Sequence, residues 1–418
     1  MQKEVVNGKF GKALLWNYFS IVVMAVSGLL MNAVIALFYG SAVLGAFSET
    51  YAWYVILSQL SVWGIHVAIV KYVPEAGSEE EKGAILKNAV IITLMTSLII
   101  TMFSEIVVFF VYDVEWKSYM KVAFSGLVLL SINKVLLNYL NAVYKMVVYA
   151  VFTSIRYAVF GGGILLLAFI GAKPDYLALI FPFTELVVFG GMAGYFLFRI
   201  RVFGKPTWRM FNTLLCFGTK ILPSYMVLEM NTKVDVVCLG ILISNVSQIG
   251  IYSFSIFFTE GFYLLYITIR KIINPRIAAA NAEGKLLDQI TKIKIGIRRY
   301  MVVGSCMAYL GIAGGYVLLC CVMQRPEYVE GLIYLLIICL SIVLNGKYIV
   351  FGDLLAQIGY PLEESMLNVL TVAGNFVLNI IFIMLLGKIG AAVATAVSYF
   401  IFSFYMKVRV KERSGIIL

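Results

Sequence analysis

The sequence predicts an all-α integral membrane protein with about twelve transmembrane helices in two pseudo-symmetric six-helix lobes. Three observations predict this. Of the 418 residues, 62% are hydrophobic and only 13% charged, with a mean hydropathy of +0.95, whereas a soluble domain carries about a quarter of its residues as charge. Apolar runs of the roughly 20 residues that cross a bilayer centre near residues 26, 57, 98, 129, 159, 187, 228, 260, 311, 339, 375 and 398. Finally, residues 44–87 and 249–292 share one pattern. In each, a turn ending at a glycine (Gly45, Gly250) opens an aromatic-rich span that closes on Lys71 to Pro74 or Lys271 to Pro275 and then a charged loop. Two similar halves in a bilayer are the signature of proteins that move something across it.

The first run, about residues 13–39, is too long for a signal-peptide core and lacks a small-residue cleavage site, so it is expected to be the first membrane helix. Runs two and eight open the duplicated segments. Run five contains Gly161 to Gly163, while Pro182 and Pro223 fall inside runs six and seven; each marks a hinge, a cavity-lining bend or a static kink. The pairs Gly190/Gly194 and Gly311/Gly315 suit close helix packing. Residues 277–297, after run eight, have the composition of an amphipathic helix at the membrane interface. The basic connection with Arg199, Arg201, Lys205 and Arg209 divides the chain into lobes 1–202 and 203–418.

Ionisable groups inside membrane runs cost about 3 kcal/mol each on insertion scales, which makes them functional candidates. On run seven, Lys220, Ser224, Asn231 and Asp235 fall on one helical stripe. Glu229 and Lys233 lie on the opposite side at a spacing that suits a pair. Further stripes are Lys134, Asn138 and Asn141 on run four, Tyr149, Thr153 and Arg156 on run five, and Glu364, Asn368, Asn375 and Asn379 on run eleven. Gln59, Trp63 and His66 align on run two, and Glu260, Tyr263 and Arg270 nearly do on run eight. Such faces either line a polar cavity or bond helices together. Arg270, Lys271 and Lys121 sit where side chains snorkel to the interface. Lys134, Arg156 and Lys220 lie deeper and form a cationic cavity suited to an anion. The substrate-binding candidates are therefore Lys220, Arg156, Lys134, Asp235, Asn231 and Ser224.

The net charge of +11 follows a topological pattern. Basic residues crowd the N-terminus (Lys3, Lys9, Lys12), alternate connections such as Lys71 to Lys87 and Arg270 to Arg299, and the tail from Lys407 to Arg413. The intervening turns hold few, so both termini are expected in the cytoplasm, with the basic patches facing anionic lipid rather than nucleic acid. The six cysteines lie in or beside apolar runs and are read as small apolar residues, not as disulfides or metal ligands. The single histidine, His66, is expected to be a hydrogen-bonded structural residue. No Gly-x-x-x-x-Gly-Lys phosphate loop and no long outer loop occurs, so neither an ATP-driven pump nor an enzyme such as a glycan polymerase, ligase or acyltransferase is expected.

Several segments resemble a known family. They are Trp16-Asn17, LFYGSAVLGAFSETYAW, KYVPE, KILPS followed by Asp235, IGIYSFS, NPRIA and GKIGAAVATAVSYF. In order and spacing they are similar to the Wzx-type O-antigen, capsule and exopolysaccharide flippases of the multidrug/oligosaccharidyl-lipid/polysaccharide (MOP) exporter superfamily. The resemblance implies a bundle of six plus six helices, opening alternately to each side of the bacterial cytoplasmic membrane. Its implied cargo is undecaprenyl-pyrophosphate-linked oligosaccharide, carried from the inner to the outer leaflet, with the pyrophosphate and sugar in the cationic cavity and the tail in lipid. It also implies membrane lipids, a polysaccharide polymerase and glycosyltransferases as partners, and no cofactor beyond an ion gradient or membrane potential. The alternative in the same superfamily is a drug/cation antiporter of the MATE type, which would need deep acidic groups. A major facilitator transporter ranks third, because its loop motif after the second helix is absent. The orientation is testable: reporter fusions in the turns near Gly40, Asp113 and Glu327 are expected to report an external location at all three.

Overall fold

The computed structural model describes residues 2–111, 114–200, 203–243, 245–416 and 418. It describes their side chains except at 2–15, 17, 18, 111, 114–117, 228, 231, 275, 282 and 297–300. Helices run through nearly all of these residues, with no strand among them. The first helices are α1 (Gln2–Phe38), α2 (Ser41–Val62), α3 (Ile65–Glu75), α4 (Glu79–Val111), α5 (Val114–Phe124), α6 (Leu127–Ala142), α7 (Met146–Phe169) and α8 (Ile180–Arg199). Then come α9 (Trp208–Leu242), α10 (Val246–Ala282), α11 (Leu286–Arg299), α12 (Ser305–Met323), α13 (Gly331–Val350), α14 (Leu354–Gln357), α15 (Pro361–Leu386) and α16 (Lys388–Ser414).

Every expected apolar run coincides with a helix or a helix pair. Among the described residues, nine helical segments are long and apolar enough to cross a membrane, and ten do so if α2 and α3, bent by 44° at their junction, form one span. The two other runs are α9 and α10. They are long but carry Lys220, Glu229, Lys233 and Asp235, or Glu260, Arg270 and Lys271, the polar groups that the sequence assigns to an interior.

The chain forms two compact units, residues 1–230 and 231–418. The division falls inside α9, past the basic connection at 199–209. Residues up to 230 group with the first unit because α9 packs on α2 and α3: Trp63 Nε1 donates to Thr219 Oγ1 at 2.9 Å, and Gln59 Nε2 donates to Glu229 Oε1 at 2.7 Å. In the first unit α6 is central, packing on α2, α3, α4 and α8, while α1 lies along α7. Its core joins Ile65, Ile69, Val135, Leu140, Val188 and Leu214. In the second unit α13 packs between α10 and α16, and α15 packs on α16. The duplicated segments thus give the same local packing: α2 and α3 on α6 in one, α10 on α13 in the other.

Several local expectations are corrected. The turn expected at Gly45 is at Gly40 (φ 85°), and Gly45 is buried within α2. Gly161 to Gly163 do not interrupt α7, and α9 continues through Pro223. No atom lies within 4 Å of a Cβ built at Gly190, Gly194, Gly311 or Gly315, so these pairs make no close packing among the described residues. Close approaches occur at Gly161, against Ser27 of α1, and at Gly331, against Ser255 and Tyr316.

The break that matters was not expected. Trp63 (φ 51°) and Gly64 (φ 69°) are both left-handed and end α2 abruptly, whereas its counterpart α10 runs unbroken over 37 residues. The space there is backbone against backbone, since a Cβ on Gly64 would lie 2.6 Å from the Gly218 carbonyl oxygen. Gly64→Ala is therefore expected to cost about 1–3 kcal/mol through its left-handed backbone and the collision. Gly162→Ala, with nothing within 4 Å, should be neutral. Melting of the detergent-solubilised variants measures both.

Candidate functional site

Exposure separates lipid from water. The exposed faces of α1, α4, α12 and α15 carry Phe19, Ile99, Phe103, Leu310, Leu318, Met384 and Leu385, as a hydrocarbon solvent requires. The first half of α9 is different: Asn212, Cys216, Thr219, Lys220, Pro223 and Ser224 are exposed, recurring every three or four residues along one face. A face of this polarity at membrane depth is tolerated where it meets water or protein, not lipid. Among the described residues, Lys220 makes no hydrogen bond or ion pair.

The same unit also holds a partly buried polar layer. Lys134 of α6 donates to Ser58 Oγ of α2 at 2.7 Å, beside the Gln59–Glu229 hydrogen bond, and the charges acting on its ammonium include those of Glu229, Arg156 and Glu185. Arg156 of α7 pairs with Glu185 of α8 at 2.9 Å, with side chains only 16% and 5% exposed. Asn133 Nδ2 donates to the same carboxylate at 2.7 Å. Of the three deep cations read from the sequence, Arg156 and Lys134 therefore have acidic neighbours, and Lys220 has none among the described residues.

The second unit holds a different arrangement around Asp235. Its Oδ1 accepts from Asn379 Nδ2 at 2.8 Å and Asn375 Nδ2 at 3.5 Å, and its Oδ2 from Thr395 Oγ1 at 2.6 Å and Tyr252 OH at 3.0 Å. Ser398 Oγ donates to Asn375 Oδ1 at 3.0 Å. All the described partners of Asp235 are neutral, and Asn379 Oδ1 is buried without a hydrogen-bond partner among the described residues. Asp235 thus accepts from two amide N–H groups and two hydroxyls, so a carboxylate at this depth is held by neutral donors alone.

The six sequence candidates thus separate. Lys220 and Ser224 lie exposed on α9, Lys134 and Arg156 lie in the partly buried layer, and Asp235 joins the run-eleven residues Asn375 and Asn379 in the second unit. Asn231 lies on α9, with its side chain outside those described. Glu229 and Lys233 each have a described partner on another helix. Glu229 accepts from Gln59, and Lys233 pairs with Glu260 at 3.4 Å. His66 is not hydrogen-bonded at Nδ1 among the described residues; its ring stands edge-on to Tyr225 at 5.2 Å. Arg270 does not simply snorkel, since it pairs with Asp353 at 2.9 Å. Sequence reasoning missed Glu185 as the partner of Arg156, because no local spacing links α7 to α8. It also missed Tyr252 and Thr395, whose only signal was their place in the motifs IGIYSFS and GKIGAAVATAVSYF.

Comparison with known proteins places this geometry. A family model described as "Polysaccharide biosynthesis protein" matches residues 10–280, well over half of the chain. The chain belongs to this family. No curated protein sequence matches it significantly. Among solved structures, the lipid II flippase MurJ in an inward closed conformation aligns with a TM-score of 0.79 at 16% identity, covering 95% of this chain and 87% of that one. An inward-facing multidrug resistance MATE family transporter of the MOP superfamily aligns at 0.72 and 12% identity, covering 96% and 99%. The MATE multidrug transporter DinF-BH gives 0.60 and 14%, covering 99% and 97%. At these identities the likeness establishes the fold: this member of the polysaccharide biosynthesis family is a multi-pass membrane protein of MOP architecture.

The Arg156–Glu185 pair gives a direct test. Removing one partner of a buried pair strands the other charge and costs about 3–5 kcal/mol, whereas replacing both with apolar residues is often neutral. Arg156→Leu and Glu185→Leu are each expected to lower the melting temperature and the yield of protein from the membrane, and the double variant should recover most of both.

Proposed function

We propose that the protein carries undecaprenyl-pyrophosphate-linked oligosaccharide repeat units from the cytoplasmic to the outer leaflet of the bacterial cytoplasmic membrane, for the synthesis of a cell-surface polysaccharide. The observation that carries this reading is the exposed polar face of α9 with its unpaired Lys220, in a chain of the polysaccharide biosynthesis family. A polar wall inside a bilayer protein gives a sugar and its charged phosphates a route that hydrocarbon denies them, while the polyprenyl tail stays in lipid. MurJ, of similar fold, is described as a lipid II flippase. The transport unit we propose is two lobes, 1–202 and 203–418, working by alternating access, with both termini in the cytoplasm. A polymerase and glycosyltransferases would be the pathway partners.

The residues divide the work. Lys220 would attract the pyrophosphate as an unpaired cation, and Ser224, one turn on, would offer a hydroxyl. Lys134, held by Ser58, would keep positive potential in the same unit. Asn231, on the same stripe, would extend it, and Arg156 with Glu185 would brace α7 against α8. Asp235 is proposed as the coupling site. An ionised carboxylate at membrane depth with only neutral partners is costly, so loading it with a proton or small cation lets an ion gradient bias the cycle. Asp235 also supports a second reading, a MATE-type cation/drug antiporter, since it supplies a deep acidic group of the kind which that chemistry needs.

Depleting the protein in its host separates the two readings. The flippase reading expects saccharide-bearing undecaprenyl pyrophosphate to accumulate facing inward, and complementation by Lys220→Ala to fall at least tenfold at normal membrane levels. Loss of resistance to cationic drugs without accumulation would instead establish the antiporter. Asp235→Asn is expected to make the remaining transport indifferent to the ion gradient.

A further inference from the structure

Trp63 occupies a conformation that its side chain disfavours. It is one of only three non-glycine residues with positive φ among those described (51°), and it sits where the span Ser41–Glu75 breaks. A bulky residue in the left-handed region is a genuine outlier, and strain of this kind persists where the surroundings over-determine it, typically at functional sites. Glycine or asparagine would make the same turn without that strain. The backbone alone therefore gives no reason for tryptophan here.

The side chain supplies one. The indole Nε1 donates to Thr219 Oγ1 at 2.9 Å, and Thr219 in turn donates to the Leu215 carbonyl at 2.9 Å, so the ring is locked in orientation. Part of it rests on the apolar core of the first unit, yet the residue is only partly buried. Its N–H is bonded to a polar helix face while its ring stays partly open, the placement of an aromatic at an apolar–polar edge. Thr219 and Lys220 lie side by side on the exposed polar face of α9. The indole is thus a fixed aromatic surface at the edge of a polar wall, with an unpaired ammonium on the residue following its anchor.

We propose that Trp63 is a saccharide-stacking platform, on which the C–H face of a pyranose ring rests while Lys220 holds a neighbouring phosphate. A ring surface flanked by a few placed polar groups is the usual composition of a small-molecule site. An apolar sugar face on an aromatic one lets binding depend on the sugar without a dedicated donor for every hydroxyl. The broken helix then has a use: the left-handed turn carries the indole off the line of α2 and against α9. The proposal rests on the flippase reading and names the group that meets its sugar.

The test uses purified full-length protein and two probes, undecaprenyl pyrophosphate and the saccharide-bearing undecaprenyl pyrophosphate extracted from host membranes, with binding and melting temperature both measured. The wild type is expected to prefer the saccharide-bearing lipid about tenfold. Trp63→Phe, which keeps a ring but loses the N–H, should keep most of that preference. Trp63→Asn, which suits the left-handed backbone, should bind both lipids alike, its cooperative melting showing that it is folded. An unchanged preference in Trp63→Asn, or no preference in the wild type, overturns the platform and leaves the flippase reading standing. Binding of neither lipid by the wild type overturns both.

Discussion

In hydrocarbon no water replaces a lost backbone hydrogen bond, so every peptide group must find its partner within the protein. The rest of this structure follows from that constraint. It makes the chain helical almost throughout and confines breaks to places where compensation is at hand. At the α2–α3 junction the Trp63 amide donates to the Gln59 and Leu60 carbonyls, and the Ser61 carbonyl accepts from Thr96 Oγ1 of α4 at 2.7 Å. The missing side chains of Gly64 and Gly218 let two backbones meet where a pair of ordinary residues would hold them apart.

The same rule applied to side chains sorts the ionisable groups. Where two helices are fixed against each other, charges appear as partners: Arg156 with Glu185 in the first unit, Arg270 with Asp353 in the second. At the two residues proposed for cargo and coupling, no opposite charge answers the side chain among the described residues. Lys220 has no partner among the described residues, and Asp235 has only neutral ones. These two residues, at opposite ends of one stripe of α9, stand in opposite electrostatic conditions, and the proposed division between cargo and coupling ion follows from the difference.

Much of the fold was legible because helix periodicity and apolar length are local properties. The twelve runs, the duplicated segments and the stripes of α9 and α15 could all be read along the chain. The seven-residue and four-residue steps that placed Asn368, Asn375 and Asn379 on one face also let two of them reach Asp235. Partnership was not legible. Glu185, Asp353 and Thr395 complete sites begun on other helices, and a single sequence gives the face of a residue but not its neighbour. The break at Trp63 was hidden for another reason. Its one signal is a glycine inside an apolar run, and Gly161 to Gly163, a stronger signal of the same kind, lie in an unbroken helix.

The polarity of α9 also bears on how the protein is made. A segment with Lys220, Glu229, Lys233 and Asp235 is a poor candidate for insertion by itself, since charges at a helix centre each disfavour entry from the translocon. Its second half is answered late, because Asn375 and Thr395 lie 140 and 160 residues downstream of Asp235. Until α15 and α16 emerge from the ribosome, that carboxylate has no amide from α15 and no hydroxyl from α16 to accept from. The contacts that α9 can make first are therefore those with earlier helices, at Gly64 against Gly218 and at Gln59 against Glu229, and with Tyr252 of the next helix.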